Sequence, residues 1–331
     1  MLPEGVGPDR MKLFLHIGMD KTGTTFLQGF CHERRDRLAR HGICYPFGVA
    51  PNEFSHVDFA HAHGAGWNDA ATDEGSARAI EKLSGVNPDL PLLLSSEALS
   101  TVPNKLFVDR IKTWAERNGY DDAEVIVYLR NQVDLFVALY AEAIKWGRKE
   151  PADKFYDICK NRLVFSSLIT GWKEAFGDAK VHVLNYDLAK ADLIGSFFGL
   201  MNVENIAELT ANYVPAFANY SPPLIILEYI RRLSIPIERI QLYEFIIGRF
   251  AHRKPAALKD LADAAVWPLP SRLMEDIPRY MADNEKVFAD PSQQFEDLYA
   301  VADRYGRKLI SLDERGLQEA ATMLLFDMLP R

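Results

Sequence analysis

Residues 13–28 read LFLHIGMDKTGTTFLQ, and this stretch sets the fold of the N-terminal part of the chain. The apolar run at 13–17 predicts a buried strand, the segment from Gly18 to Gly23 a tight loop, and the residues from Thr24 onwards a helix. Such a loop lets backbone N–H groups approach an anion, and the following helix adds its free N–H groups and the positive end of its dipole. The side chains that add to this loop are Lys21, Thr22, Thr24 and Thr25. The stretch therefore predicts a phosphate-binding loop.

The loop differs from the Walker A pattern, G-x-x-x-x-G-K-[ST], in the position of its lysine. Gly18 and Gly23 have the Walker spacing, and Thr25 occupies the position of the magnesium-binding hydroxyl. Thr24 replaces the Walker lysine, and Lys21 lies inside the loop instead. A nucleotide-binding loop other than that of a standard NTPase is therefore expected.

Beyond this loop, strand and helix patterns alternate, which predicts an α/β fold with a P-loop-like parallel sheet flanked by helices. The predicted strands are Met11–Ile17, Leu90–Ser95, Glu124–Leu129 and Lys180–Leu184. The predicted helices are Thr24–Arg40, Ala77–Ser84, Asn104–Asn118, Val133–Trp146, Phe165–Phe176 and Ala191–Met201. Strand patterns stop near Asn202, and an amphipathic helix is predicted over Leu224–Phe250. We therefore expect one domain over 1–331, with an α/β core at 11–201 and a helical C-terminal extension at 202–331.

Composition narrows the function class. The chain has 331 residues, 48% of them hydrophobic, and a formal net charge of −8. The negative charge argues against a general nucleic-acid-binding protein or a basic membrane-surface protein. Three cysteines without metal-binding spacing predict reduced thiols and a cytoplasmic protein. No apolar run approaches the ~20 residues of a transmembrane helix.

Three segments resemble the sulfotransferases that use PAPS (3′-phosphoadenosine 5′-phosphosulfate). The pattern G-x-x-K-T-G-T-T at 18–25 resembles the family's 5′-phosphosulfate loop. VIVYLRNQVDLFVALY at 125–140 resembles its second signature, a strand followed by Arg-x-x-x-Asp and a helix. The third segment, 171–203, shows W-x-x-x-F-G, a strand ending in Tyr-Asp, and a helix with paired phenylalanines. The combination of KTGTT, SSE and YLRNQ is similar to bacterial members that act on cell-surface saccharides or lipids.

The resemblance implies PAPS as co-substrate, with no metal. It implies that the loop residues bind the 5′-phosphosulfate, that Arg130 binds the 3′-phosphate, and that Tyr186 lies near the adenine. The loop residues concerned are Gly18, Lys21, Thr22, Gly23, Thr24 and Thr25. Lys21 is expected to neutralise charge on the oxygen that bridges sulfur and phosphorus. Ala138 departs from the family, which usually has a phosphate-binding serine there.

A hydroxyl acceptor must lose its proton as it attacks sulfur, so a general base is expected within hydrogen-bond reach. The second strand ends in SSE, and functional groups in parallel sheets collect at the carboxyl ends of strands. Glu97 is therefore expected near the loop, and the resemblance to carbohydrate-modifying members of the family, which use a glutamate, makes it the predicted base. An alternative is a histidine of the segment at 52–66, where His56 and His61 are predicted to contact the acceptor, as is Ser96. A metal site in that segment is not expected, because it has neither cysteine nor a ligand-spaced carboxylate pair.

The sequence thus predicts a sulfotransferase that moves a sulfuryl group from PAPS to a hydroxyl, with a saccharide, glycolipid or small molecule as acceptor. Two alternatives remain open at this stage. One is an ATP- and magnesium-dependent kinase with a variant P-loop. The other is a non-catalytic nucleotide-binding protein on the same fold.

Overall fold

A four-stranded parallel sheet with the order β2-β1-β3-β4 lies at the centre of the fold. The computed structural model describes residues 11–48, 54–65, 81, 83–101, 105–215, 222–232, 260, 263–265, 269–288 and 290–327. The strands are β1 (Lys12–His16), β2 (Leu92–Ser95), β3 (Asp122–Leu129) and β4 (Val181–Asn185). The predicted parallel α/β sheet is confirmed, and each strand begins and ends within two residues of its predicted bounds.

The strands form because nearly continuous apolar runs are buried on both faces of the sheet, as is usual for parallel strands. In β1, Leu13 is paired with Leu92 of β2 and Ala123 of β3, which places β1 between these two strands. The chain therefore leaves β1 toward β2 on one side, and afterwards crosses to β3 on the other. This reversal makes the carboxyl end of β1 a topological switch point, where ligands bind in open α/β sheets.

Helices cover both faces of the sheet. On one face, α1 (Thr24–Glu33) and the helix Leu193–Gly199 contribute Leu27, Phe30 and Phe197 to a core that includes Phe14 of β1. On the other face, helix Ser166–Phe176 contacts β3, β4 and helix Lys105–Arg117. The remaining helices near the sheet are Arg35–Arg40, Val57–Ala62, Tyr186–Ala189 and Ile206–Thr210, with short 3₁₀ turns at Glu97–Ser100, Asp178–Lys180, Lys190–Asp192 and Pro291–Gln293.

The chain divides into two compact units. The first comprises 1–129, 165–217 and 287–293, and contains the sheet. The second comprises 130–164, 218–286 and 294–331. The segment 130–164, which the sequence assigned to the α/β core, thus groups with the C-terminal helices.

The second unit, where the structure describes it, is mainly helical. Its helices are Gln132–Lys145, Ala152–Cys159, Leu224–Arg232, Ser271–Val287, Leu298–Arg307 and Glu314–Asp327, with a 3₁₀ turn at Lys160–Leu163. Helix Leu224–Arg232 contacts both Gln132–Lys145 and Glu314–Asp327. Buried polar pairs join further helices. Gln132 and Asn284 exchange two amide hydrogen bonds of 2.7 and 3.1 Å, and the Tyr156 hydroxyl donates to Asp276 at 2.5 Å.

One helix prediction is corrected by the structure. The segment Thr24–Arg40 is not one helix, because it is interrupted at Arg34, whose φ is −109°. Hydrogen bonding nevertheless continues across the break, from Arg34 N–H to Phe30 and from Leu38 N–H to Arg34. The predicted helix Ala77–Ser84 and most of Leu224–Phe250 lie outside the described residues. In the described part of the chain, no helix has the length and apolar character needed to cross a bilayer.

Candidate active site

The loop between β1 and α1 begins with a glycine that lies close to Glu97, just after the end of β2. Gly18 has a φ of +99°, and its carbonyl accepts a hydrogen bond from Tyr128 N–H, so the loop starts paired with β3. A Cβ at this position would lie 3.1 Å from Glu97 Cα and 3.2 Å from Glu97 Cβ. Glycine is therefore needed for both the backbone conformation and the approach of Glu97.

The middle of the loop is a tight turn. Lys21 has a φ of +64°, a backbone conformation that residues other than glycine rarely adopt. The hydroxyl of Thr22 is buried and donates to the Met19 carbonyl at 2.6 Å. The Thr22 side chain thus stabilises the turn. Its hydroxyl hydrogen is used in this bond, whereas the sequence predicted a contact with the 5′-phosphosulfate.

Gly23 ends the loop as the residue that precedes α1. It adopts the left-handed conformation, with a φ of +77°, and gives the helix no side-chain cap. The first turn of α1 contains no acidic residue. Since the first N–H groups of a helix lack intrahelical partners, this N-terminus suits an anion.

Tyr186 lies against this end of the loop. A Cβ on Gly23 would come 3.4 Å from Tyr186 Cε2 and 2.6 Å from Leu193 Cδ2. Tyr186 follows β4 directly, and the Asn185 side chain accepts the N–H of Asp187 to start the next helix. The structure thus brings the predicted Tyr186 next to the predicted loop. No sequence pattern predicted that Leu193 lies against the loop.

Glu97 follows β2 by two residues, at the strand end next to the loop. Its carboxylate Oε2 accepts a 2.6 Å hydrogen bond from the hydroxyl of Thr24, and Thr24 is the first residue of α1. Ser96 is buried, and its hydroxyl accepts the Ala98 N–H, whereas the Ser100 hydroxyl donates to the Glu97 carbonyl at 2.8 Å. These bonds fix the Glu97 backbone. The predicted base and the predicted anion loop therefore meet at Thr24.

Arg130 is the first residue after β3 and belongs to the second unit. Within that unit, Asp134 accepts hydrogen bonds from the Asn131 side chain and from the Tyr305 hydroxyl, at 2.6 and 2.7 Å. Burial and Asp134 raise the pKa of Tyr305 above its ordinary value, and the positive charge of Arg130 opposes this rise. Ala138 lies half-buried on the helix that follows. The 3′-phosphate role of Arg130 stays a prediction.

The histidines have separate environments. His56 is buried, with Nδ1 accepting the Ser95 N–H and Nε2 bonded to the Pro46 carbonyl at 3.2 Å, so no ring nitrogen remains for the predicted acceptor contact. Burial lowers its pKa to about 4. His61 is exposed on helix Val57–Ala62. His63 is buried and bonded to the Phe59 carbonyl. Within the described ranges, no group of three His, Cys, Asp or Glu is placed to hold a metal ion.

His16, at the end of β1, anchors the sheet rather than the ligand. It is fully buried, its Nδ1 lies 2.8 Å from Ser95 Oγ, and burial lowers its pKa to about 3. Gln28 of α1 donates to the same Ser95 oxygen at 3.2 Å. Gln28 was not singled out from the sequence, although it lies four residues after Thr24 and thus on the same side of α1.

Comparison with known proteins gives structural neighbours only. No protein-family model matches the chain, and no curated protein matches it. Among solved structures, the chain is similar to a sulfotransferase from Alicyclobacillus acidocaldarius, with 16% identity and a TM-score of 0.40, over 72% of this chain and 96% of the other. It is also similar to mouse sulfotransferase SULT7A1 complexed with PAP, with 11% identity and a TM-score of 0.39, over 89% of each chain. Likenesses at these values do not establish a relationship, so function is inferred from the site.

Proposed function

We propose that the chain is a PAPS-dependent sulfotransferase that transfers a sulfuryl group to a hydroxyl. One observation carries this proposal: an uncapped helix N-terminus in a glycine-bounded loop meets a carboxylate at the switch point of the sheet. Glu97 Oε2 lies 2.6 Å from Thr24 Oγ1, the first side chain of that helix. The place for the anionic sulfuryl donor thus lies next to a carboxylate that can accept a proton, as sulfuryl transfer requires.

The loop fits an anionic group. Two glycines with positive φ, at 18 and 23, form the loop, and an added Cβ would meet Glu97 at the first position and Leu193 at the second. Lys21 adds a positive charge in the loop itself. Charge that develops on a leaving phosphate oxygen is stabilised by such fixed donors and cations, usually the largest contribution to catalysis.

In the proposed reaction, the loop N–H groups, Lys21, Thr24 and Thr25 hold the 5′-phosphosulfate, and PAPS supplies the sulfuryl group. The acceptor oxygen forms a bond to sulfur while the bond between sulfur and the phosphate oxygen breaks. The electron pair of that bond stays on the phosphate oxygen, which gives PAP, and Glu97 takes the acceptor's proton. The sequence motifs support Arg130 on the 3′-phosphate and Tyr186 at the adenine.

The acceptor is proposed to be a hydroxyl of a saccharide or glycolipid, on the resemblance to bacterial cell-surface sulfotransferases. The segment at 52–66, which includes His61, is the proposed surrounding of the acceptor. Ser96 retains a hydroxyl hydrogen that can be directed to it, since its oxygen is the acceptor of the Ala98 N–H.

A comparison of ligands tests this proposal against the kinase alternative. Thermal unfolding is measured with PAP, with the analogue that lacks the 3′-phosphate, and with ATP plus Mg²⁺. A ligand at 100 times its Kd adds about 2.7 kcal/mol to the stability of a protein. A rise in Tm with PAP that exceeds the rise with the analogue supports PAPS as co-substrate. A rise with ATP that EDTA abolishes, with none for PAP, contradicts the proposal and favours a kinase.

Transfer itself is tested with radiolabelled PAPS on extracted envelope saccharides and glycolipids. Glu97→Gln is expected to reduce transfer by about 10²–10⁴-fold, the usual contribution of a general base, while PAP binding persists. Glu116→Gln, on the exposed side of helix Lys105–Arg117, is the matched control with unchanged transfer. Full transfer by Glu97→Gln would exclude Glu97 as the base.

A further inference from the structure

The hydroxyl of Thr24 has two candidate hydrogen-bond acceptors, the Glu97 carboxylate and an anion bound in the loop. Its side chain is 4% exposed, and it donates to the Glu97 carboxylate at 2.6 Å. A threonine hydroxyl has one hydrogen and can donate it to one acceptor at a time. In the proposed function, the same hydroxyl belongs to the group of donors around the 5′-phosphosulfate. The bond to Glu97 and a bond to the anion therefore exclude each other.

We infer that Thr24 is a positioning residue that couples occupancy of the loop to the release of Glu97. In the structure, the hydroxyl donates to the carboxylate. When an anion occupies the loop, the Thr24 hydrogen turns to an anion oxygen, and Glu97 Oε2 becomes free to accept the acceptor's proton. This inference rests on the proposed function and adds an order to it, in which the sulfuryl donor binds before the Thr24 hydroxyl releases Glu97 Oε2.

The surroundings limit the change to this hydrogen bond. The Glu97 backbone is held by the hydrogen bond from Ser100 to its carbonyl and by the close contact with Gly18. Thr24 is fixed as the first residue of α1, whose hydrogen bonding begins with Leu27 N–H to the Gly23 carbonyl. Both side chains therefore start from fixed backbone positions, and rotation of the Thr24 hydroxyl is enough to move the hydrogen.

A double-mutant cycle on PAP affinity tests the coupling, with Kd measured by calorimetry. In the wild-type background, Thr24→Val is expected to change Kd by less than about threefold. The wild-type hydroxyl exchanges its hydrogen bond to Glu97 for one to the anion, so its loss removes one bond from the free protein and one from the complex. In a Glu97→Ala background, the same substitution is expected to weaken binding by about tenfold or more, the usual effect of a hydrogen bond to a charged group. Glu97→Ala alone is expected to tighten PAP binding.

Further variants separate this role from a structural one. Thr24→Ser keeps the hydroxyl and should reproduce the wild-type cycle. Glu97→Gln keeps the side-chain volume and so controls for a disturbance of the turn by alanine. Its coupling with Thr24→Val should lie between that of wild type and that of Glu97→Ala. Thr25→Val, one residue further along, should weaken binding by the same factor in both backgrounds.

The outcomes distinguish the two proposals. If Thr24→Val costs the same factor with and without Glu97 while wild type binds PAP, the coupling is wrong and the proposed function stands. If wild type does not bind PAP at all, the proposed function is wrong and the coupling falls with it.

Discussion

At the scale of single residues, Gly23 is a position where substitution meets both backbone strain and a steric clash. Its φ is +77°, and an added Cβ would come 2.6 Å from Leu193 Cδ2. We therefore expect Gly23→Ala to lower the free energy of unfolding by about 1–3 kcal/mol through backbone strain alone, and to reduce PAP affinity as well. Chemical denaturation of the two proteins measures the difference.

Gly29 provides the matched control, because it lies within α1 and an added Cβ meets nothing within 4 Å. Gly29→Ala is expected to raise the free energy of unfolding by about 0.5–1 kcal/mol, since alanine favours a helix more than glycine does. If Gly23→Ala is as stable as Gly29→Ala, the described loop conformation is wrong.

Some residue roles could not be predicted, because their partners are distant in the sequence. The two ring nitrogens of His56 are bonded to the backbone of Ser95 and Pro46, and neither bond has a local sequence signal. The hydroxyl of Thr22 resembles those of its neighbours in the motif, yet only the turn geometry directs it to the Met19 carbonyl. Motif reasoning identified the loop, but not which of its hydroxyls serve the fold.

At the scale of elements, the strands were predictable because each is a short apolar run that the sheet buries on both faces. The switch point depends on the strand order, in which β1 lies between β2 and β3. Glu97 was predicted near the loop because it follows the carboxyl end of a parallel strand. The structure adds the direct hydrogen bond to Thr24. That bond joins residues 73 positions apart, so periodicity alone does not predict it.

The packing of helix Gln132–Lys145 on helix Ser271–Val287 includes a buried amide pair that can be tested. Gln132 and Asn284 are 0% and 3% exposed and bond to each other twice. Gln132→Leu leaves the Asn284 amide without its partner, so we expect a loss of about 1–3 kcal/mol in the free energy of unfolding. Urea denaturation measures this loss.

The double variant Gln132→Leu/Asn284→Leu should recover much of the loss, because two apolar groups replace the pair. Gln318→Leu, at an exposed position of helix Glu314–Asp327, should change stability by no more than about 0.5 kcal/mol. A double variant that is less stable than the sum of the two single variants would contradict the pairing.

At the scale of the whole molecule, three buried histidines determine part of the response to acid. Burial lowers the pKa of His16 to about 3 and the pKa values of His56 and His63 to about 4. The unfolded chain binds these protons near pH 6.5, whereas the folded chain does not. The free energy of unfolding is therefore expected to fall as the pH decreases from about 6.5 to about 4.

Each histidine contributes a slope of about 1.4 kcal/mol per pH unit inside this window. His63→Gln keeps a side chain that can donate to the Phe59 carbonyl, and should reduce the histidine contribution to the slope by about one third. Denaturation curves between pH 7 and pH 4 measure both slopes. A stability that is constant over this range would contradict the burial of these rings.

The central claim, that the loop between β1 and α1 binds the 5′ end of PAPS, is tested most directly by calorimetric titration of PAP. Wild type is compared with Lys21→Ala and with Lys105→Ala, which removes the same charge at an exposed position. Loss of a charged partner at the loop is expected to raise Kd by about tenfold to a hundredfold in Lys21→Ala, whereas Lys105→Ala keeps the wild-type Kd. Equal affinity of wild type and Lys21→Ala would show that PAP does not bind through this loop.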